Sequence, residues 1–250
     1  MSDGNQNSSI EKSGFYPVAR PNTFGLTDVG RRREVNQDQF LIAQLNKSML
    51  VTSTSLPLDE KARLFGRTYG QVLFVADGMG GHAAGEEASS LAINHLVTQL
   101  LNRVHWFFQD DRDDDELFVD GLRGLLRSAH RRILNASDHN SALRGMGTTM
   151  TMAYVVWPKL WVVHAGDSRC YLVRNGKADQ LTTDHTLARR LVEQGGMPPE
   201  EEAKSRWSNV LWNVLGGSGE GGELLAEVQR GDLLPGDTIV LCSDGLYRYV

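Results

Sequence analysis

Three apolar, strand-like runs in this sequence each lead to an aspartate with a glycine beside it. Val72 to Ala76 runs into Asp77-Gly78, Leu160 to Ala165 into Gly166-Asp167, and Thr238 to Cys242, through Ser243, into Asp244-Gly245. A fourth aspartate, Asp38, stands immediately before the run Gln39 to Gln44. An aspartate at the mouth of a buried strand is held on a rigid scaffold and partly desolvated, and an adjacent glycine lets backbone approach a ligand closely. Four such carboxylates gathered at sheet edges repel one another unless a cation sits among them. Oxygen donors without a Cys or His cluster favour a hard ion, Mg²⁺ or Mn²⁺, over zinc. Asp-Gly is also a common turn dipeptide, so one instance alone reads as a hairpin turn. Its repetition in one context, together with Asp38, favours the metal reading.

The cluster Arg31-Arg32-Arg33 lies a few residues before Asp38. A planar guanidinium beside divalent ions suits a phosphate dianion, although Arg31 and Arg32 read better as part of a solvated loop. The glycine-rich stretch from Asp77 to Gly85 lacks the lysine and spacing of a phosphate-binding Walker loop, so its glycines serve a tight passage from strand to helix. His82 and Glu86 are four apart but have no further His or Cys nearby, which favours a surface or capping role. His164, inside an apolar run, reads as a satisfied core histidine, and Met146, Met150 and Met152 as core filler. The acidic run from Asp110 to Glu116 reads as a solvated loop that places negative charge at the start of the next helix.

The elements that must position these residues follow from periodicity. Short β-type runs recur at 39–44, 72–76, 149–156, 160–165, 170–173 and 238–242. Tight connections at Trp157-Pro158-Lys159 and at Gly166 to Arg169 predict that the third, fourth and fifth of these form an antiparallel meander. Ala88, Ala92, Leu96 and Leu100, flanked by Leu91, Ile93, Val97 and Leu101, predict a helix over 86–101. Phe118, Leu122, Leu125, Ala129 and Ile133 predict a second over 116–136, and a shorter one is expected over 187–194. Residues 46–70 read as a weakly patterned insertion. Residues 1–23 read as a disordered arm and 24–250 as one α+β domain.

A chain of 250 residues with 40% hydrophobic content buries enough surface to need no disulfide or structural metal. With 26 Lys and Arg against 31 Asp and Glu, its net charge of −5 has the wrong sign for a nucleic-acid binder. No apolar stretch approaches the ~20 residues of a membrane span, and the N-terminus shows no secretory signal. The two cysteines, Cys170 and Cys242, sit in apolar runs and suit free thiols in a reducing compartment, so the expected location is the cytoplasm.

Read together, several ordered stretches carry a resemblance: Arg33-x-x-Asn36-Gln37-Asp38, Val75 to Glu86 (VADGMGGHAAGE), Gly145-x-Gly-Thr-Thr149, His164-Ala-Gly-Asp-Ser-Arg169, Leu181-Thr-Thr-Asp-His185 and Leu241-Cys-Ser-Asp-Gly-Leu246. In order and spacing they resemble motifs of the type 2C metal-dependent protein serine/threonine phosphatases, in their bacterial form, over roughly residues 24–250. The resemblance implies a four-layer αββα sandwich of two mostly antiparallel sheets flanked by helix pairs. It implies hydrolysis of phosphoserine and phosphothreonine in proteins by a water activated between two Mn²⁺ or Mg²⁺ ions, with no covalent phosphoenzyme. Asp77 is implied to bridge the ions, with the Gly78 carbonyl on one of them, Asp244 to be a ligand of the other, and Asp38 to reach them directly or through water. Asp167 and Asp244 are implied to hold a third, weaker ion, and Arg33 to grip the phosphate. The segment from His185 to Gly216 resembles a flap and strand bordering substrate. A phosphoprotein substrate, an opposing Ser/Thr kinase and a monomeric state go with this reading, and neither nucleic acid nor a membrane span does.

Three departures from the family pattern stand out. Gln37 replaces a common Glu. Met79 occupies the position where animal enzymes carry a histidine proposed as general acid. Relatives continue past the Ser-Asp-Gly motif to an Asp-Asn pair and a final strand, whereas this sequence stops at Val250, so the expectation is a domain lacking its C-terminal strand and one metal ligand. Two rival functions remain at this level. A catalytically weak or silent regulatory module on the same fold is motivated by these departures, and a metal-dependent phosphodiesterase sits poorly with the acidic net charge.

Overall fold

In a computed structural model, residues 21–31, 34–58, 61–103, 113–217 and 223–248 are described. The expected arm at 1–23 falls almost wholly outside them, as do Arg33 and residues 110–112 of the acidic run.

Two long antiparallel strands open the fold, β1 (Asp38–Leu50) and β2 (Arg63–Met79). The stretch 46–70 is therefore no independent insertion. Most of it extends the two strands into one hairpin, with Asn46 opposite Tyr69, Ser48 opposite Phe65 and a register shift between. A bulge and several exposed polar residues hide the period-2 alternation on which a strand reading depends. Helices α1 (His82–Arg103) and α2 (Asp113–His139) follow, each starting a few residues before its apolar stripe. Then come β3 (Gly147–Thr148), β4 (Met150–Val156), β5 (Lys159–Ala165), β6 (Arg169–Arg174) and β7 (Lys177–Gln180). The remainder is α3 (Leu187–Glu193), a 3₁₀ turn, β8 (Leu215–Gly216), β9 (Glu227–Asp232), β10 (Thr238–Cys242) and α4 (Asp244–Tyr247).

The strands form two antiparallel sheets. The larger has the order β8-β3-β2-β4-β5-β9, with β1 on the other edge of β2, and the smaller the order β10-β6-β7. Alternate residues of the central strands go to different cores. Val72, Phe74, Met150, Met152, Tyr154, Trp161 and Val163 face α1 and α2, where they meet Ala88, Ala92, Leu96, Leu122, Leu126 and Ile133. Ala153, Leu160 and Val162 face the smaller sheet and its Cys170, Leu172, Ile239 and Leu241. A sheet covered on both faces needs apolar residues at every position, which is why these strands read as continuous apolar runs. Leu101, assigned by periodicity to the core stripe of α1, is exposed instead.

The expected three-strand meander is corrected. β4 pairs with β5, but β6 leaves that sheet and pairs with β10 and β7. Gly166, at φ +117°, turns the chain between the sheets, and a Cβ there would come within 2.6 Å of the Thr149 Cβ. Asp167 therefore sits on a crossover between sheets. No helix among the described residues is long and apolar enough to cross a membrane.

Candidate metal centre

β1 begins where β2 ends, and the register sets Asp38 directly opposite Asp77. Paired residues of adjacent strands project to the same face, where like charges directly opposed are destabilising. The Asp77 backbone is fixed on both sides: its N–H donates to Thr149 Oγ1 at 2.9 Å, and its carbonyl accepts from Thr149 N at 2.9 Å and Thr148 Oγ1 at 3.0 Å. Gly78 packs against the first turn of α1 so closely that a Cβ would run into the Gly85 carbonyl group and come within 3.0 Å of the Gln37 carbonyl oxygen. Only glycine fits there.

The other two aspartates reach this corner through the C-terminal segment. Ser243 Oγ donates to Asp38 Oδ2 at 2.6 Å, and Asp244 is the next residue, at the first position of α4. One turn later, Arg248 donates from Nη2 to Asp167 Oδ2 at 3.0 Å and lies with Nε 3.2 Å from Asp244 Oδ2. Tyr247 Oη lies 3.1 Å from the Asp167 carbonyl oxygen and 3.3 Å from its Oδ2, so its one proton is shared between them. Burial raises the Asp167 carboxyl above its usual range, the charge of Asp244 raises it further, and Arg248 partly offsets both.

The Asp167 loop is held from beneath by two histidines. His164 Nε2 lies 3.1 Å from the carbonyls of both Gly166 and Thr183, which can only accept, so that nitrogen carries the proton. His185 Nδ1 accepts from Gly166 N at 3.1 Å and from Asn213 Nδ2 at 2.9 Å, which puts its proton on Nε2, 3.5 Å from Glu227 Oε2. The rings stack with centroids 4.9 Å apart. Burial pushes His164 down to about 4, with His185 adding to the effect. His164, His185 and Glu227 are close enough together to resemble a ligand set, yet these proton positions commit His164 Nε2 and His185 Nδ1 to backbone and amide partners. The core-histidine reading of His164 holds.

The structure thus places Asp38, Asp77, Gly78, Asp167 and Asp244 along one continuous chain of contacts, and Arg33 lies outside the described residues. Gln37 donates from Nε2 to the Gly81 carbonyl at 2.7 Å, a contact an ionised Glu could not make, so the departure has a structural use. Met79 is partly exposed at the end of β2. Sequence reasoning missed Ser243, Tyr247 and Arg248. The four-residue spacing of Asp244 and Arg248 was the available signal. Glu227 carried none, because its strand shows no alternation. The donor set is all oxygen and rich in acids, and burial, with the charge of Asp244 adding to it, raises one carboxyl in it above the usual range. These residues fit Mg²⁺ or Mn²⁺.

Comparison with known proteins agrees. A family model described as "Protein phosphatase 2C" matches residues 52–250. The serine/threonine protein phosphatase PstP of Mycobacterium tuberculosis is 35% identical over 176 residues, 70% of this chain and 32% of that protein, so the chain spans about a third of that relative's length. The S. agalactiae serine/threonine phosphatase superposes with a TM-score of 0.69 at 28% identity, over 90% of this chain and 80% of that one. The catalytic domain of PstP, solved in complex with two manganese ions, superposes at 0.57 with 29% identity, over 85% and 81% of the two chains. The two packed antiparallel sheets, the ordered motifs and these matches lead to one conclusion: the chain belongs to the protein phosphatase 2C family.

Proposed function

We propose that this protein hydrolyses phosphoserine and phosphothreonine in other proteins with the aid of Mn²⁺ or Mg²⁺. The observation that carries the reading is that acids from segments distant in sequence are linked: Asp38 is paired with Asp77 across β1 and β2, Ser243 ties Asp38 to the segment that carries Asp244, and Arg248 joins Asp244 to Asp167. Asp77, the Gly78 carbonyl, Asp38 and Asp244 would hold two ions, and Asp167 with Asp244 a weaker third. When bound, such a pair of ions lowers the pKa of water and neutralises phosphoryl oxygens.

The chain's own residues do the rest. The Thr148 and Thr149 hydrogen bonds keep Asp77 from shifting, Ser243 orients Asp38, and Arg33 grips the phosphate. Met79 holds no transferable proton, so the leaving-group proton comes from another donor. Phosphoserine and phosphothreonine must first be made, so a Ser/Thr kinase stands opposite this enzyme. Cys170 and Cys242, on adjacent strands yet both free thiols, support a cytoplasmic setting.

Phosphate release from a phosphothreonine peptide, with and without Mn²⁺ and with excess chelator, tests the proposal. Activity that requires the ion and is lost in Asp77→Asn is expected. Full activity in chelator, or in that variant, overturns it.

A further inference from the structure

Arg248 lays its guanidinium edge across two acids at once, Nη2 on Asp167 at 3.0 Å and Nε beside Asp244 at 3.2 Å. The Asp167 side chain is only 6% exposed and that of Asp244 22%. The guanidinium makes a charge-assisted hydrogen bond to Oδ2 of Asp167 and an ion pair with Oδ2 of Asp244. The preceding residue, Tyr247, reaches the same Asp167 carboxylate, and the Arg169 guanidinium lies 3.5 Å from the centre of the Tyr247 ring.

A divalent ion held by Asp167 and Asp244 needs their oxygens within about 2.0–2.6 Å. The Arg248 nitrogens lie against one oxygen of each acid, and a second cation bound to the same pair meets strong repulsion from the guanidinium. We infer that Arg248 is an internal cation that competes with a divalent ion for the Asp167–Asp244 pair and so sets how readily that position fills. This rests on the reading above, in which the pair is a metal position. One guanidinium leaves the two carboxylates with one negative charge uncompensated, whereas a divalent ion neutralises both, so the exchange is favourable once the ion is abundant. The displaced side chain has somewhere to go. Arg248 and Tyr247 line an open cavity of about 950 Å³, shared with the Arg169–Asp184 and Arg189–Glu202 ion pairs, which leaves the side chain room to swing.

The test is Mn²⁺ binding to the whole chain, followed by the electron paramagnetic resonance of free Mn²⁺, in the wild type, Arg248→Met, Arg248→Ala and Asp167→Asn. Wild type should show tight binding that disappears in Asp77→Asn, and a weaker class that disappears in Asp167→Asn. In Arg248→Met and Arg248→Ala the weaker class should tighten about tenfold or more, a usual size for such coupling, while the tight class stays as it was. An unchanged weak class in both arginine variants overturns the inference and leaves the metal reading standing. Absence of any tight class in the wild type overturns both. Should the variants fold poorly, the Arg248 Nε–H resonance of the wild type reports directly: saturating Mg²⁺ should shift it and expose it to exchange, and a resonance that Mg²⁺ leaves unmoved overturns the inference.

Discussion

Asp38 and Asp77 are directly paired residues of antiparallel strands, so two carboxylates of the same sign are locked in register by the backbone. Ser243 holds the Asp38 carboxylate, and Thr148 and Thr149 hold the Asp77 backbone. The pairing of the two acids is thus a fixed property of the fold.

Asp77→Asn tests the assignment of this pair. Phosphatase activity should fall by ~100-fold or more, as when a preorganised electrostatic group is lost. Added Mn²⁺ at ~100 times its Kd should stabilise the wild type by ~2.7 kcal/mol and the variant by much less. Calorimetry with and without Mn²⁺ measures both stabilisations, and equal stabilisation of the two proteins contradicts the assignment.

Acid should weaken the fold through His164. A histidine of the unfolded chain takes up its proton near 6.5, whereas in the fold burial holds His164 down to about 4. Between those values the unfolded state binds more protons, so stability is present above about pH 6.5 and is lost as pH falls toward about 4, on the order of 3 kcal/mol in total. Urea unfolding at pH 7, 5.5 and 4.5 should show this slope in the wild type and a shallower one in His164→Gln. Identical slopes would assign the acid sensitivity to other groups.

Gly166→Ala should be among the most damaging small substitutions. The positive φ and the approach to Thr149 each strain an alanine, together by about 3 kcal/mol or more. Because Asp167 follows directly, the weaker Mn²⁺ class should be lost before the fold is. A urea midpoint close to that of the wild type contradicts the argument.

Arg169 should resist conservative exchange. Nε and Nη2 contact both oxygens of Asp184, Nη1 donates to Tyr171 Oη at 3.0 Å, and the group stacks on Tyr247. Lysine offers one point charge in place of a planar fork. Arg169→Lys should therefore recover little of the roughly 3 kcal/mol expected to be lost in Arg169→Ala, a cost typical of breaking a mostly buried pair. Chemical denaturation of the two variants compares them directly.

Much of this arrangement was legible in the residues themselves. Strands buried on both faces announce themselves as apolar runs, and Ala88, Ala92, Leu96 and Leu100 mark their helix by spacing alone. The four aspartates stood out because each lies beside such a run. What stayed hidden depends on contacts between distant segments. β6 looked like a continuation of β5 because a tight connection gives no sign that it changes sheets. The outer half of the β1–β2 hairpin is exposed and bulged, so its pattern is diluted. Arg248 became part of the acid corner only once α4 placed it one turn beyond Asp244, and Glu227 only through its register opposite His164.

The hydrogen bond from Ser243 to Asp38 spans 205 residues. On a ribosome adding ~5–20 residues per second, Asp38 emerges roughly 10–40 s before Asp244 does. During that interval β1, β2 and both long helices can form, but Asp38 lacks its Ser243 partner. On the proposed metal reading the ion is therefore acquired late, once the segment carrying Ser243 and Asp244 has docked, and until then the nascent chain competes poorly for the metal of the cell.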